Sequence, residues 1–147
     1  MNQMTYQPFT FKAALQLTKP PSWTAALSAV AVGGAAAWAL HGFVPFIGDN
    51  RASACWLLML LCSLLAQSAV NTLNDYKDFI VGLDTEETIT DETDASIIYN
   101  AINPRSALYF GLVLCLLAVG VGIVVAVMSV WWLVLLGAGG IIAVLFY

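Results

Sequence analysis

Charge is what this chain has least of. Charged residues make up 10% of its 147 positions, where a soluble domain carries about 25%. Lys and Arg together number five. That is too few to hold a polyanion, so nucleic acid is excluded as a partner. The three cysteines lie in apolar runs, cannot form an even disulfide framework, and have no other metal-ligand residue beside them. Disorder is excluded as well, because 61% of the residues are hydrophobic and the mean hydropathy is +0.85. A multi-span membrane protein, or half of one, remains.

The net charge of −4 hides an uneven distribution. Every acidic residue except Asp49 falls between Asp75 and Asp94, with only Lys77 among them. A nearly uncharged, lipid-compatible chain is therefore interrupted by one acidic segment, read here as a loop over 74–105.

A helix needs about 20 apolar residues to cross the hydrocarbon core. Ser22 to Leu40 and Ala52 to Leu73 are uncharged and each supply one span. Ser106 to Tyr147 also carries no charge and is about twice the length of a span. It divides at a turn near Met128 to Val130, followed by Trp131 and Trp132, the indoles expected at an interface. Open sheets are excluded in lipid, and the runs lack the alternation of a transmembrane barrel. The expected fold class is all-α: a polytopic membrane helix bundle of about four transmembrane helices, forming one transmembrane domain over 1–147.

Small residues cluster at Gly33, Gly34 and Ala35 to Ala37, and again at Gly137, Gly139 and Gly140. They read equally well as close-packing faces or as ordinary span composition. Residues 24–40 also resemble the apolar core of a signal peptide, with Ala37-Trp38-Ala39 as its cleavage site, but both the segment and the polar stretch before it are long for that. Phe9 to Leu15 reads either as an interfacial amphipathic helix ending by Lys19, because Pro20 follows, or as a frayed terminus. Asn103-Pro104-Arg105 marks the start of the third span. Cys55, Cys62 and Cys115 fall inside spans as small apolar groups. No strong internal repeat is present. The chain stops directly after an apolar helix, which leads us to expect the N-terminal part of a longer protein.

Lys12, Lys19, Lys77 and Arg105 lie on one side of the spans and Arg51 on the other. This distribution puts the N-terminus and the acidic loop in the cytoplasm and the protein in an inner or cytoplasmic membrane.

The chemistry gathers at the end of the second span. Ser63, Gln67, Asn71, Asn74, Asp75 and Asp78 recur at spacings of three and four, which places them along one helical face. Amides and carboxylates at membrane depth are costly and normally face a bundle interior or a wet cavity. Interhelical hydrogen bonding would also account for Gln67 and Asn71. Asp75 and Asp78, one turn apart, repel each other unless a cation lies between them. Carboxylates with nearby amide oxygens suit a hard divalent metal, Mg²⁺ or Ca²⁺, and no His or Cys points to zinc. Mg²⁺ prefers to bridge carboxylates to substrate phosphates, so an acidic lip at the headgroup level reads as a binder of lipid diphosphates. An EF-hand at Asp91 to Ser96 is excluded, because the loop lacks a glycine at its sixth position.

The run from Asn71 to Asp84, with its Asn-x-x-Asn-Asp-x-x-Asp spacing and Gly-x-Asp ending, resembles the first aspartate-rich motif of the UbiA superfamily of intramembrane prenyltransferases. It is closest to the menaquinone-type branch, the 1,4-dihydroxy-2-naphthoate prenyltransferases. Thr18 to Trp23 also resembles the family's start of helix one. The resemblance implies the first part of a roughly nine-helix fold that transfers a polyprenyl group from a polyprenyl diphosphate to an aromatic acceptor in quinone biosynthesis. It implies Asp75 and Asp78 as catalytic metal ligands for Mg²⁺, with Asp84 as a further ligand or supporting group. Asn71 and Asn74 would orient bound oxygens, and Lys77 would either touch the diphosphate or snorkel at the surface. Metal neutralisation of the leaving group would let the allylic bond ionise, in a cavity that keeps water out.

Two departures stand out. The family's C-terminal half, with its second aspartate motif, is missing, so this chain alone is expected to be inactive. The Arg usual after the first motif is replaced by Ala95 to Asn100, which weakens a diphosphate cradle. Glu86, Glu87, Asp91, Glu92 and Asp94 read as a solvated loop, and Tyr99 as either a cavity-mouth residue or an interfacial anchor. Two rival readings remain: a non-enzymatic membrane cation-binding or transport subunit whose polar stripe lines an ion path, and a lipid-binding or assembly module without chemistry.

Overall fold

The computed structural model describes residues 5–85 and 95–146. These form six α-helices: α1 (Phe11–Thr18), α2 (Trp23–His41), α3 (Asn50–Val81), α4 (Ser96–Tyr99), α5 (Pro104–Met128) and α6 (Leu133–Phe146). Among the described residues there is no strand. The expected helical membrane architecture is therefore present. Three helical runs are long and apolar enough to cross a membrane: Phe11–His41, Asn50–Val81 and Pro104–Met128. The fourth expected span corresponds to α6, whose 14 residues reach about 21 Å at ~1.5 Å per residue, short of the ~30 Å hydrocarbon core.

Local chemistry explains where most helices begin and end. Thr10 caps α1 by accepting the Ala13 N–H at 3.2 Å. The helix stops at Lys19, which adopts a left-handed backbone (φ 48°) immediately before Pro20. Asp49 starts α3 by accepting the N–H groups of Arg51 and Ala52 at 2.8 and 3.2 Å. Asn103 does the same for α5, accepting the Arg105 N–H at 3.0 Å with Pro104 in the first turn. The turn expected near Met128 to Val130 is present, and exposed Trp131 follows it.

The second span differs from expectation in length. The helix does not stop with the uncharged run at Leu73 but continues to Val81, so Asn74, Asp75 and Asp78 lie on it, as the stripe's helical spacing implies, and the loop begins later than residue 74. No helix breaker occurs before Gly82. There the chain turns with φ +75°, the Gly82 N–H bonding to Phe79 O at 3.3 Å and the Leu83 N–H to Asp78 O at 3.0 Å. This paired pattern around a left-handed glycine is a Schellman stop. The expected loop over 74–105 is thus also interrupted by α4 and by the start of α5.

The chain divides into two compact units. Met1–Ser22 with Gln67–Cys115 forms one, and Trp23–Ala66 with Leu116–Tyr147 the other. The first has a core of Ala13, Leu17, Ile97, Ile102 and Ala107, packed by Tyr76, Phe79 and Phe110. Gly111 lets α5 approach α3 there: a Cβ at this position would lie 2.8 Å from Leu73 Cδ2. In the second unit the Trp56 indole covers Gly34 so closely that a Cβ there would lie 2.9 Å from its Nε1. The small-residue face expected in the first span is therefore used at Gly34. At Gly33, Gly137, Gly139 and Gly140 nothing lies within 4 Å of where a Cβ would stand, among the described residues.

Candidate functional site

The polar stripe of α3 divides by partner. Ser63 bonds back to its own helix at Met59 O, 2.9 Å away. Further along the stripe, Asn71 and Asp75 meet the junction between α1 and α2. Gln67 Nε2 donates to Asn71 Oδ1 at 3.4 Å. Asn71 Nδ2 donates to Thr18 O at 2.8 Å and to Ser22 Oγ at 2.6 Å. Thr72, fully buried, donates to Leu17 O at 3.3 Å and to Ser68 O at 2.8 Å. The break before Pro20 frees the last carbonyls of α1 from helical partners, and side chains of α3 satisfy two of them.

The same junction delivers a cation. Lys19 Nζ lies 2.6 Å from Asp75 Oδ1. The Asp75 side chain is 2% exposed and that of Lys19 24%. A carboxylate this deep needs a compensating charge. Sequence reasoning assigned that role to a metal. The structure supplies an ammonium from a helix distant in sequence.

The backbone of Lys19 is fixed on both sides. Its N–H bonds to Gln16 O at 3.1 Å, and its carbonyl accepts Ser22 N at 2.9 Å and Ser22 Oγ at 2.8 Å. Ser22 in turn accepts from Asn71, so one continuous hydrogen-bonded path runs from Asn71 to the residue that neutralises Asp75.

Asp75 has further neighbours. The Ser96 hydroxyl, at the start of α4, lies in hydrogen-bonding range of its carboxylate, and Asp84 is near enough to act on it through charge. Asp75 Oδ2 is buried and, among the described residues, has no hydrogen-bond partner. Asp78 is half-buried one turn further along α3. Its carbonyl accepts the N–H groups of Leu83 and Asp84, at 3.0 and 3.4 Å. The Gly82 turn therefore folds the chain back so that half-buried Asp84 returns to the end of α3 instead of leaving into solvent. Asn74 is half-buried and Lys77 is exposed. Glu86, Glu87, Asp91, Glu92 and Asp94 lie outside the described residues. Tyr99 is half exposed.

The expected site residues thus converge at one end of α3 within the first unit, with Asp75 turned inward. Four contributors had no assigned chemical role: Lys19, Thr72, Gly82 and Ser96. Lys19 carried a usable signal, being the only charge at the boundary between a short amphipathic helix and a span. Thr72 and Ser96 carried none, since a lone hydroxyl beside an apolar run is common in any helix.

The donor set can be tested against a divalent ion. Among the described residues, no group of three His, Cys, Asp or Glu side chains gathers to hold a metal. A closed all-protein cage is therefore not what these residues build. A buried, unpartnered carboxylate oxygen with a second carboxylate one turn away does match Mg²⁺, which commonly takes one or two carboxylates and completes its shell with water and substrate phosphates.

Comparison with known proteins gives concordant matches. A model described as the UbiA prenyltransferase family matches residues 26–147. The chain is 34% identical over 85 residues to 1,4-dihydroxy-2-naphthoate octaprenyltransferase of Bacillus subtilis (strain 168), covering 58% of this chain and 27% of that protein. It is 32% identical over 99 residues to UbiA prenyltransferase domain-containing protein 1 of Danio rerio, covering 65% of this chain and 25% of that protein. The matched regions thus make up about a quarter of these relatives' lengths. No solved structure matches the chain.

Proposed function

The chain belongs to the UbiA prenyltransferase family, and from that premise we propose that it forms the donor-diphosphate half of a site transferring a polyprenyl group to an aromatic acceptor. The observation that carries this reading is Asp75: a buried carboxylate with one oxygen on Lys19 and the other without a hydrogen-bond partner among the described residues. An acceptor oxygen left in that state is costly unless a ligand completes it.

In this reading Asp75 and Asp78 hold Mg²⁺ against the diphosphate, and Asp84, returned by the Gly82 turn, is a third ligand or supports the first two. When bound, the metal supplies Lewis-acid neutralisation of the leaving diphosphate. The chain's own residues do the rest. Asn71 and Thr72 fix the α1–α2 junction, half-buried Asn74 faces the same end of the helix, and exposed Lys77 lies where it can meet a headgroup-level phosphate. The apolar residues of α3 and α5 within the first unit give the prenyl tail a lipid-like surface and limit water. Quinone biosynthesis of the menaquinone kind is the setting we infer, supported by the printed name of the Bacillus subtilis relative. Lys12, Lys19, Lys77 and Arg105 support a cytoplasmic location for this end of the molecule.

The test is binding of farnesyl diphosphate to the 147-residue chain in nanodiscs, by calorimetry, with and without Mg²⁺. Binding that requires Mg²⁺ and is lost in Asp75→Asn and Asp78→Asn is expected. Binding indifferent to the metal would overturn the proposal. Divalent-cation flux through proteoliposomes with no diphosphate present would favour the transport reading instead.

A further inference from the structure

In the structure, the cation on Asp75 belongs to the protein. Lys19 reaches it from a left-handed backbone position, φ 48°, which a non-glycine residue adopts only against a steric cost. Both flanking hydrogen bonds and the adjacent Pro20 hold that conformation in place. The backbone thus holds the Lys19 stem beside α3, and from there the side chain reaches Asp75 and places its ammonium 2.6 Å from Oδ1.

A divalent ion using the same carboxylate would meet this ammonium across Asp75, with Asp78 and Asp84 as the other negative groups at this end of α3 among the described residues. Two cations sharing one carboxylate in a protein interior repel strongly, because the effective dielectric there is far below that of water. Either the ammonium must give up its ion pair and swing away, or extra negative charge must arrive with the metal. A diphosphate brings that charge.

We propose that Lys19 is a resident counter-cation that competes with the divalent metal for Asp75, holding the site nearly metal-free until metal and diphosphate arrive together. This rests on the metal-diphosphate reading given above. Lys19 is a positioning residue in this scheme: it acts on the metal through Asp75. Its value to the protein is twofold. The buried carboxylate is never left uncompensated, and the site does not fill with metal when no donor is present.

The experiment is Mn²⁺ binding to the 147-residue chain in nanodiscs, followed by the electron paramagnetic resonance signal of free Mn²⁺, with no prenyl substrate. Lys19→Gln removes the charge and keeps a polar side chain, one bond shorter. It is expected to bind Mn²⁺ alone about tenfold or more tightly than the unmodified chain, in line with the coupling measured for close charge pairs. Lys19→Arg, which restores the charge, is expected to return to the original affinity, and Lys12→Gln, outside the pair, to leave it unchanged. With inorganic pyrophosphate added, the gap between Lys19→Gln and the unmodified chain is expected to narrow.

A second measurement covers the case of a poorly folded variant. Mn²⁺ should raise the melting temperature of Lys19→Gln or Lys19→Met by more than it raises that of the unmodified chain, because ligand binding to the folded state stabilises it. Equal or weaker Mn²⁺ binding by Lys19→Gln, with Mn²⁺ bound by the unmodified chain, would overturn the competition and leave the metal reading standing. A gap that pyrophosphate does not narrow would overturn the coupling to the donor. Absence of Mn²⁺ binding in every variant, with and without pyrophosphate, would overturn both readings.

Discussion

Asn71 Nδ2 lies 2.8 Å from the carbonyl oxygen of Thr18 and 2.6 Å from Ser22 Oγ, so both of its amide hydrogens go to the α1–α2 junction. A residue that reads as a substrate contact in the motif therefore also has a structural duty. It satisfies a carbonyl left free where α1 stops, and through Ser22 it braces the carbonyl of Lys19.

Replacing Asn71 with Leu removes both donors while keeping similar bulk. Side-chain hydrogen bonds within membranes average about 0.6 kcal/mol, with a maximum near 1.7, so a loss of about 1–2 kcal/mol is expected for the pair. Unfolding in mixed micelles measures it. Amide exchange near Lys19 should rise in the same variant, because the brace on that residue is gone.

The Lys19–Asp75 pair should respond unequally to losing one partner or the other. Lys19→Met leaves a carboxylate that is 2% exposed, and stranding a buried charge costs about 3–5 kcal/mol. Asp75→Asn leaves an ammonium that is 24% exposed and can turn its head toward water. Its cost should be about 1–2 kcal/mol, the range of an exposed or weakly buried pair. Chemical denaturation of both variants and of the double variant reads this order. Equal costs would show that Asp75 has access to water.

Gly82 offers a way to move Asp84 without touching a carboxylate. Its φ is +75°, and a Cβ there would meet nothing within 4 Å among the described residues. Gly82→Ala therefore adds backbone strain and no collision, about 1–2 kcal/mol. If the strain is relieved by opening the turn, Asp84 no longer returns to the end of α3. The expected result is weaker Mg²⁺-dependent diphosphate binding with the melting temperature little changed, read by calorimetry and thermal unfolding on one preparation. Loss of stability with unchanged binding would separate Asp84 from the site.

Much of the helical layout was legible from local pattern. Uncharged runs marked three long helices because each backbone polar group in lipid must be satisfied within its own segment. Pro20 and the Asn103-Pro104 pair marked a helix end and a helix start, since proline lacks the N–H and restricts its predecessor. The stripe from Gln67 to Asp78 marked the inward face of α3 because its spacing matches the helical repeat. The sequence pattern placed the start of the loop too early, at 74, because charged residues look like the end of a span when their partner is unknown, even where the stripe's spacing is helical. The use of Gly111 was not legible, because its closeness to Leu73 depends on how two helices pass each other.

The order of residues alone settled which segments are helical, which positions share a face and where the acids cluster, because these depend on neighbours a few positions away. Only the folded chain decided that Lys19 faces Asp75, that Asn71 and Thr72 satisfy the broken end of α1, and that Asp84 turns back toward α3. Those are contacts between residues distant along the chain. They form when burial and packing make a shared interior in which a lone carboxylate is too costly and the nearest fixed ammonium becomes its partner.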